Sequence, residues 1–134
     1  MNNQRPKILV VDDLVDWRTT LGGLLVDVGY QVAVAESSAA ALDLLKTEHF
    51  DLVLLDVRLD ETDEESTEGL TLAGEIKDRW PSTKIIIITG YGTSEILNKA
   101  METDAEGRRL AANYIEKTKT GELVQVVRDA LKKE

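Results

Sequence analysis

Four β-branched residues in a row, Ile85-Ile86-Ile87-Ile88, constrain this chain more than any other feature. Such a run suits an extended strand and leaves neither face polar, so it predicts a strand covered on both sides. Four further short segments fit the same role: Lys7–Val11, Gln31–Ala35, Asp51–Leu55 ending at Asp56, and Ala112–Ile115. Between them lie amphipathic stretches. Leu14, Trp17, Leu21, Leu24, Leu25 and Val28 recur at helical spacing, and Gly29 follows as a stop signal. Ser37 or Ser38 can cap an Ala-rich helix that runs to about Thr47. Gly69 to Trp80 reads as a third helix, carrying Leu70, Leu72, Ala73 and Ile76, with Pro81 just beyond it. A fourth is expected from about Thr93, with Ile96, Leu97, Ala100 and Met101 inward, and a closing helix over Gly121–Leu131. Five strands alternating with five helices predict a doubly wound parallel α/β sheet with helices on both faces, because right-handed crossovers cover the sheet that way. The strand order is not readable from periodicity.

At 134 residues the chain fits one domain, 1–134, long enough to bury a core. No repeat, low-complexity tract or linker interrupts it. It has no cysteine, which excludes a disulfide framework and thiolate metal sites. The polar start and the lack of an apolar run of roughly 20 residues give no sign of a signal peptide or membrane span, so a cytoplasmic protein is expected. The net charge of −9 is largely local. Asp60, Glu61, Asp63, Glu64, Glu65 and Glu68 sit in one stretch with no base among them, and without these six the balance is −3. No basic patch supports direct nucleic-acid binding.

In an open α/β sheet, ligands bind outside the carboxyl ends of the strands. That rule selects Asp12 and Asp13 after the first strand, Asp56 at the end of the third, Thr89 at the end of the fourth and Lys117 after the fifth. Three converging carboxylates repel one another unless positive charge sits among them. A hard divalent ion such as Mg²⁺ fits, since it is held by one or two carboxylates, backbone oxygen and water. A hydroxyl and an ammonium nearby could donate to phosphoryl oxygens, and a carboxylate can itself be the nucleophile.

Four segments carry a family resemblance: Ile8-Leu9-Val10-Val11-Asp12-Asp13, Leu52-Val53-Leu54-Leu55-Asp56, Ile86-Ile87-Ile88-Thr89-Gly90 and Tyr114-Ile115-Glu116-Lys117. In this order, and over essentially the whole chain, they resemble the signature segments of CheY-like receiver domains of two-component response regulators. The resemblance implies the flavodoxin-like strand order 2-1-3-4-5. It implies that Asp56 accepts a phosphoryl group from a sensor histidine kinase or phosphotransfer protein. Asp13 and Asp56 would bind Mg²⁺ directly, Asp12 through water, and the Arg58 carbonyl would be a further ligand. Thr89 and Lys117 would contact the phosphoryl oxygens, and Tyr114 would reorient with Thr89 to signal to a partner or output domain. Chemistry on other substrates is not expected; self-phosphotransfer and autodephosphorylation are.

Three departures from the family pattern stand out. The segment from Asp56 to Gly69 is about five residues longer than usual, and the excess is the acidic stretch; it reads as a solvated loop, or as one that tunes kinase access or Mg²⁺ affinity. Thr118 follows Lys117 where receivers usually have proline, which predicts a trans bond there, since a non-proline cis bond costs roughly 2.5–4 kcal/mol. Thr89 to Lys117 is about six residues longer than usual, with Gly107-Arg108-Arg109-Leu110 before the last strand. Trp17 reads as a packing residue of the first helix and His49 as an ordinary residue before the third strand. The alternative function is a degenerate receiver that acts only as an interaction module. An Asp-nucleophile phosphatase would usually carry an acid two residues after the nucleophile, where this chain has Arg58. A flavin-binding domain would need a phosphate loop after the first strand, where Asp12 and Asp13 would repel phosphate.

Overall fold

The computed structural model describes residues 5–56, 68–89 and 111–132. Its elements are β1 (Lys7–Val11), α1 (Val15–Asp27), β2 (Gln31–Ala35), α2 (Ser38–Thr47), β3 (Leu52–Asp56), α3 (Glu68–Arg79), β4 (Lys84–Thr89), β5 (Asn113–Glu116) and α4 (Leu123–Lys132). The five strands form one parallel sheet in the order β2-β1-β3-β4-β5. This is the flavodoxin-like order. The helix expected from about Thr93, the acidic stretch before Glu68 and the segment Gly107–Leu110 lie outside the described residues.

The strand alternation divides the core in two. Leu9, Val11, Val53, Leu55, Ile85 and Ile87 face the cluster that includes Ala41 and Leu45 of α2 and Ala73 and Ile76 of α3. Their neighbours Ile8, Val10, Leu52, Leu54, Ile86 and Ile88 face the cluster with Leu21 and Leu25 of α1 and Leu123 and Val127 of α4. Successive side chains of a strand point to opposite faces, so the isoleucine run is buried on both, as its composition requires.

The turns on either side of β2 form for local reasons. α1 ends in a paired motif: Gly29 N–H donates to Val26 O (2.9 Å) and Tyr30 N–H to Leu25 O (3.1 Å). Gly29 takes φ +102°, the left-handed conformation that a glycine reaches without a Cβ penalty. Ser37 caps α2 by accepting from Ala40 N–H at 3.1 Å, which satisfies one of the helix's first amides.

Boundaries differ from the sequence reading where polar side chains intervene. Leu14 and Val28, expected inside the first helix, flank it as caps and are 40% and 45% exposed. β3 starts one residue late because Asp51 turns its carboxylate back to the Lys7 N–H (2.8 Å) and to His49 (3.3 Å). The closing helix begins at Leu123, not Gly121, because residues 117–122 form a 3₁₀ segment broken at Lys119 (φ −120°, ψ 40°). Glycine is a poor helix former, so Gly121 does little to extend α4 backwards. There is no cis peptide bond among the described residues, which include the backbone of Lys117 and Thr118. Trp17 packs against the α1-side core.

Candidate functional site

The carboxyl ends of β1 and β3 lie side by side, with Val11 opposite Leu55 in the register. One residue further along, Asp12 and Asp56 are brought close, and Asp13 joins them from the turn into α1. Each of the three offers a carboxylate oxygen, and these oxygens lie within 4.8 Å of one another. Asp12 and Asp56 are buried, at 0% and 1% exposure, and Asp13 is half-buried. Their placement follows from the sheet. Strands of near-continuous apolar residues must run through the core, and the first polar residue after each emerges at the same rim.

The β1–α1 turn is held by a set of hydrogen bonds. Asp12 N–H donates to Ala35 O at 3.1 Å, extending the β1–β2 ladder by one residue. Leu14 N–H donates to Asp12 Oδ1 at 3.0 Å, an Asx-type turn that sets up the start of α1. Asp12 Oδ2 and Asp13 Oδ1 are buried from solvent. Arg18 Nη1, from the first turns of α1, donates to Asp12 O at 2.8 Å. Arg18 was not singled out by the sequence, where it is one more polar position of an amphipathic helix. Its signal is its spacing: an arginine on the first turns of a helix can reach back over the preceding turn.

Thr89, the last residue of β4, is 1% exposed. It sits one strand over from Asp56, which pairs in register with Ile88. The backbone of Lys117 follows directly on β5, where Glu116 is the register partner of Thr89. The four rim positions therefore come from β1, β3, β4 and the end of β5, in the spatial order of the sheet. Arg58 lies outside the described residues. Tyr114 is 39% exposed on β5, which is an edge strand among the described residues. His49 is exposed and faces Asp51 at the opposite rim, remote from the acidic cluster in the sheet.

Three close carboxylates, two of them buried, make a donor set of hard oxygens. Like charges so near each other favour a bound cation, and all-oxygen sets suit Mg²⁺ or Ca²⁺ rather than softer metals. The residues thus fit a divalent ion of that kind. A buried carboxylate at the sheet rim, next to a buried hydroxyl on the adjacent strand, defines a doubly wound domain with an acidic site at its carboxyl edge.

Comparison with known proteins agrees. The model of the response regulator receiver domain family matches residues 8–128, and the chain belongs to that family. Transcriptional regulatory protein ZraR of Escherichia coli K12 is 39% identical over 105 residues, covering 78% of this chain and 23% of that protein. The chain thus spans under a quarter of that relative's length. Among solved structures, the receiver domain of NtrX from Brucella abortus is similar over 95% of this chain and 99% of that one, with a TM-score of 0.80 and 34% identity. A response regulator protein from Burkholderia pseudomallei, solved with a phosphorylated aspartic acid, a calcium ion and citrate, is similar over 94% of this chain and 66% of that one, with a TM-score of 0.74 and 29% identity.

Proposed function

We propose that this receiver domain is a phosphorylation switch in which Asp56 takes a phosphoryl group from a phosphohistidine of a sensor kinase or phosphotransfer protein. The observation that carries the reading is the gathering of the Asp12, Asp13 and Asp56 carboxylates within 4.8 Å at the sheet's carboxyl rim. In the transfer, a carboxylate oxygen of Asp56 forms a bond to phosphorus while the phosphorus–nitrogen bond breaks, and the imidazole nitrogen keeps the electron pair. Asp12, Asp13 and Asp56 would hold Mg²⁺, with the Arg58 carbonyl as a further ligand. When bound, the ion supplies the positive charge that offsets the crowded acids and the incoming phosphoryl oxygens. Thr89 Oγ1 donates to one of those oxygens and the Lys117 ammonium to another. Asp12, Asp56 and Thr89 are buried, which strengthens the electrostatic interactions they make. The Burkholderia relative, with its phosphorylated aspartic acid and calcium ion, supports the same chemistry here.

The added charge at Asp56 then favours one arrangement of Thr89 and Tyr114 over another, a population shift read by a downstream protein or an output domain. The domain acts on no substrate beyond its own phosphoryl group, works in the cytoplasm, and touches neither nucleic acid nor membrane. Incubation with acetyl phosphate and Mg²⁺, followed by intact mass measurement, tests this. A single phosphoryl adduct is expected, absent in Asp56→Asn. A wild-type chain that gains no adduct and binds no Mg²⁺ would leave the degenerate, interaction-only receiver in its place.

A further inference from the structure

We propose that Arg18 is a positioning residue for the acidic site: it fixes the peptide unit between Asp12 and Asp13, and so the direction in which Asp13 presents its carboxylate to a divalent ion. The inference rests on the reading of that site as a Mg²⁺-dependent phosphoryl acceptor. The guanidinium reaches back six residues and donates from Nη1 to Asp12 O at 2.8 Å in a part-buried setting. That carbonyl belongs to the same planar amide as the Asp13 N–H. A change in ψ of Asp12 turns this plane and, unless φ of Asp13 compensates, carries the Asp13 side chain with it.

Two further bonds hold the turn on either side of that amide. Asp12 N–H is held by Ala35 O at 3.1 Å, on the far side of the Asp12 Cα. Asp12 Oδ1 accepts from Leu14 N–H at 3.0 Å, which orients the side chain of Asp12 rather than that of Asp13. The bond from Arg18 acts on the Asp12–Asp13 amide itself. Arg18 is in turn anchored, because its own N–H donates to Leu14 O at 3.1 Å as the first turn of α1 closes. A cationic donor to a carbonyl is stronger than a neutral one, and the planar guanidinium is pre-organised, so less freedom is lost per bond formed.

The sign of the effect separates positioning from simple electrostatics. Arg18 is a cation near a cation site, so by charge alone its removal should tighten Mg²⁺ binding. As a positioning residue, its removal should weaken it. Partners that orient metal ligands are typically worth 10–100-fold in metal affinity.

The test uses the full chain, titrated with MgCl₂ by calorimetry, with the Asp13 amide followed by NMR before any metal is added. Arg18→Met keeps the stem but removes donor and charge; the Kd for Mg²⁺ is expected to rise on the order of tenfold, and the metal-free Asp13 amide resonance to shift. Arg18→Lys keeps the charge and a donor group without the planar fork, so its Kd should rise by a smaller factor. If Arg18→Met does not fold, Arg18→Lys alone decides in the same way. Affinity that is unchanged or tighter in the folded variants, with an unmoved Asp13 amide, overturns the proposal while leaving the site reading intact. A wild-type chain that binds no Mg²⁺ would instead defeat the site reading itself.

Discussion

The two rims of the sheet both gather acids, and they treat them in opposite ways. At the amino rim, Asp51 accepts from the Lys7 N–H and faces His49, while Glu48 pairs with the Lys7 ammonium, which also lies over the Phe50 ring at 5.3 Å. These groups are partly exposed, and the acids pair with basic side chains. At the carboxyl rim, Asp12, Asp13 and Asp56 place carboxylate oxygens within 4.8 Å of one another, and two of the three residues are buried. The amino rim ties strands together. The carboxyl rim concentrates like charge.

The contrast predicts opposite signs for the same substitution. Asp13→Asn at the carboxyl rim relieves like-charge repulsion, so without divalent ions it should stabilise the fold by about 1–2 kcal/mol, scaled from unit charges near 5 Å at an effective dielectric of about 20 and discounted for solvent. With Mg²⁺ at ten times its Kd, the wild type should gain about 1.4 kcal/mol by linkage, a gain that Asp13→Asn loses. Urea unfolding with EDTA and with MgCl₂ measures both. A destabilised Asp13→Asn in EDTA would show that the cluster is a structural tie like the one at the other rim.

Much of this difference is legible in the amino-acid sequence. The sheet follows from runs such as Ile85–Ile88, and the carboxyl rim from the rule that ligands gather where parallel strands end. Both rest on patterns local in sequence. The strand order is not local; it came from resemblance, because periodicity does not say which strands are neighbours. Arg18 was invisible for a similar reason. Its bond to Asp12 O depends on the turn between β1 and α1, and beyond its place in the first turn of the helix nothing distinguishes an arginine on a polar face. The amino rim is not legible in the sequence either. Asp51 reads as the first residue of a strand, yet its side chain folds back to Lys7, a residue 44 positions away, and only the β1–β3 pairing brings them together.

Asp51→Asn is therefore expected to destabilise, by about 1 kcal/mol. The carboxylate's charge strengthens its bond from the Lys7 N–H, and its 41% side-chain exposure limits the effect through solvent screening. The amide oxygen of Asn keeps a weaker acceptor in place. Mg²⁺ should stabilise this variant as much as the wild type, since the two rims share no ligand. An Mg²⁺ response lost in Asp51→Asn would mean that the rims are coupled through β1 and β3 rather than independent.

The smallest effect separates the rims by their response to salt. Lys7 and Glu48 form an ion pair with side chains 29% and 38% exposed. A double-mutant cycle with Lys7→Met and Glu48→Gln should give a coupling of about 0.2–1 kcal/mol at low salt. Lys7 over Phe50 does not enter the coupling, because the Lys7→Met step removes it equally in both backgrounds. Near 1 M NaCl the Debye length falls to about 3 Å, so this coupling should shrink towards zero. The stabilisation from Asp13→Asn involves half-buried and buried charges, which salt screens much less, and most of it should survive. Coupling at the amino rim that persisted in high salt would place that pair in the same low-dielectric regime as the acidic site. The contrast between the rims would then lie in the crowding of like charges alone, and not in their solvation.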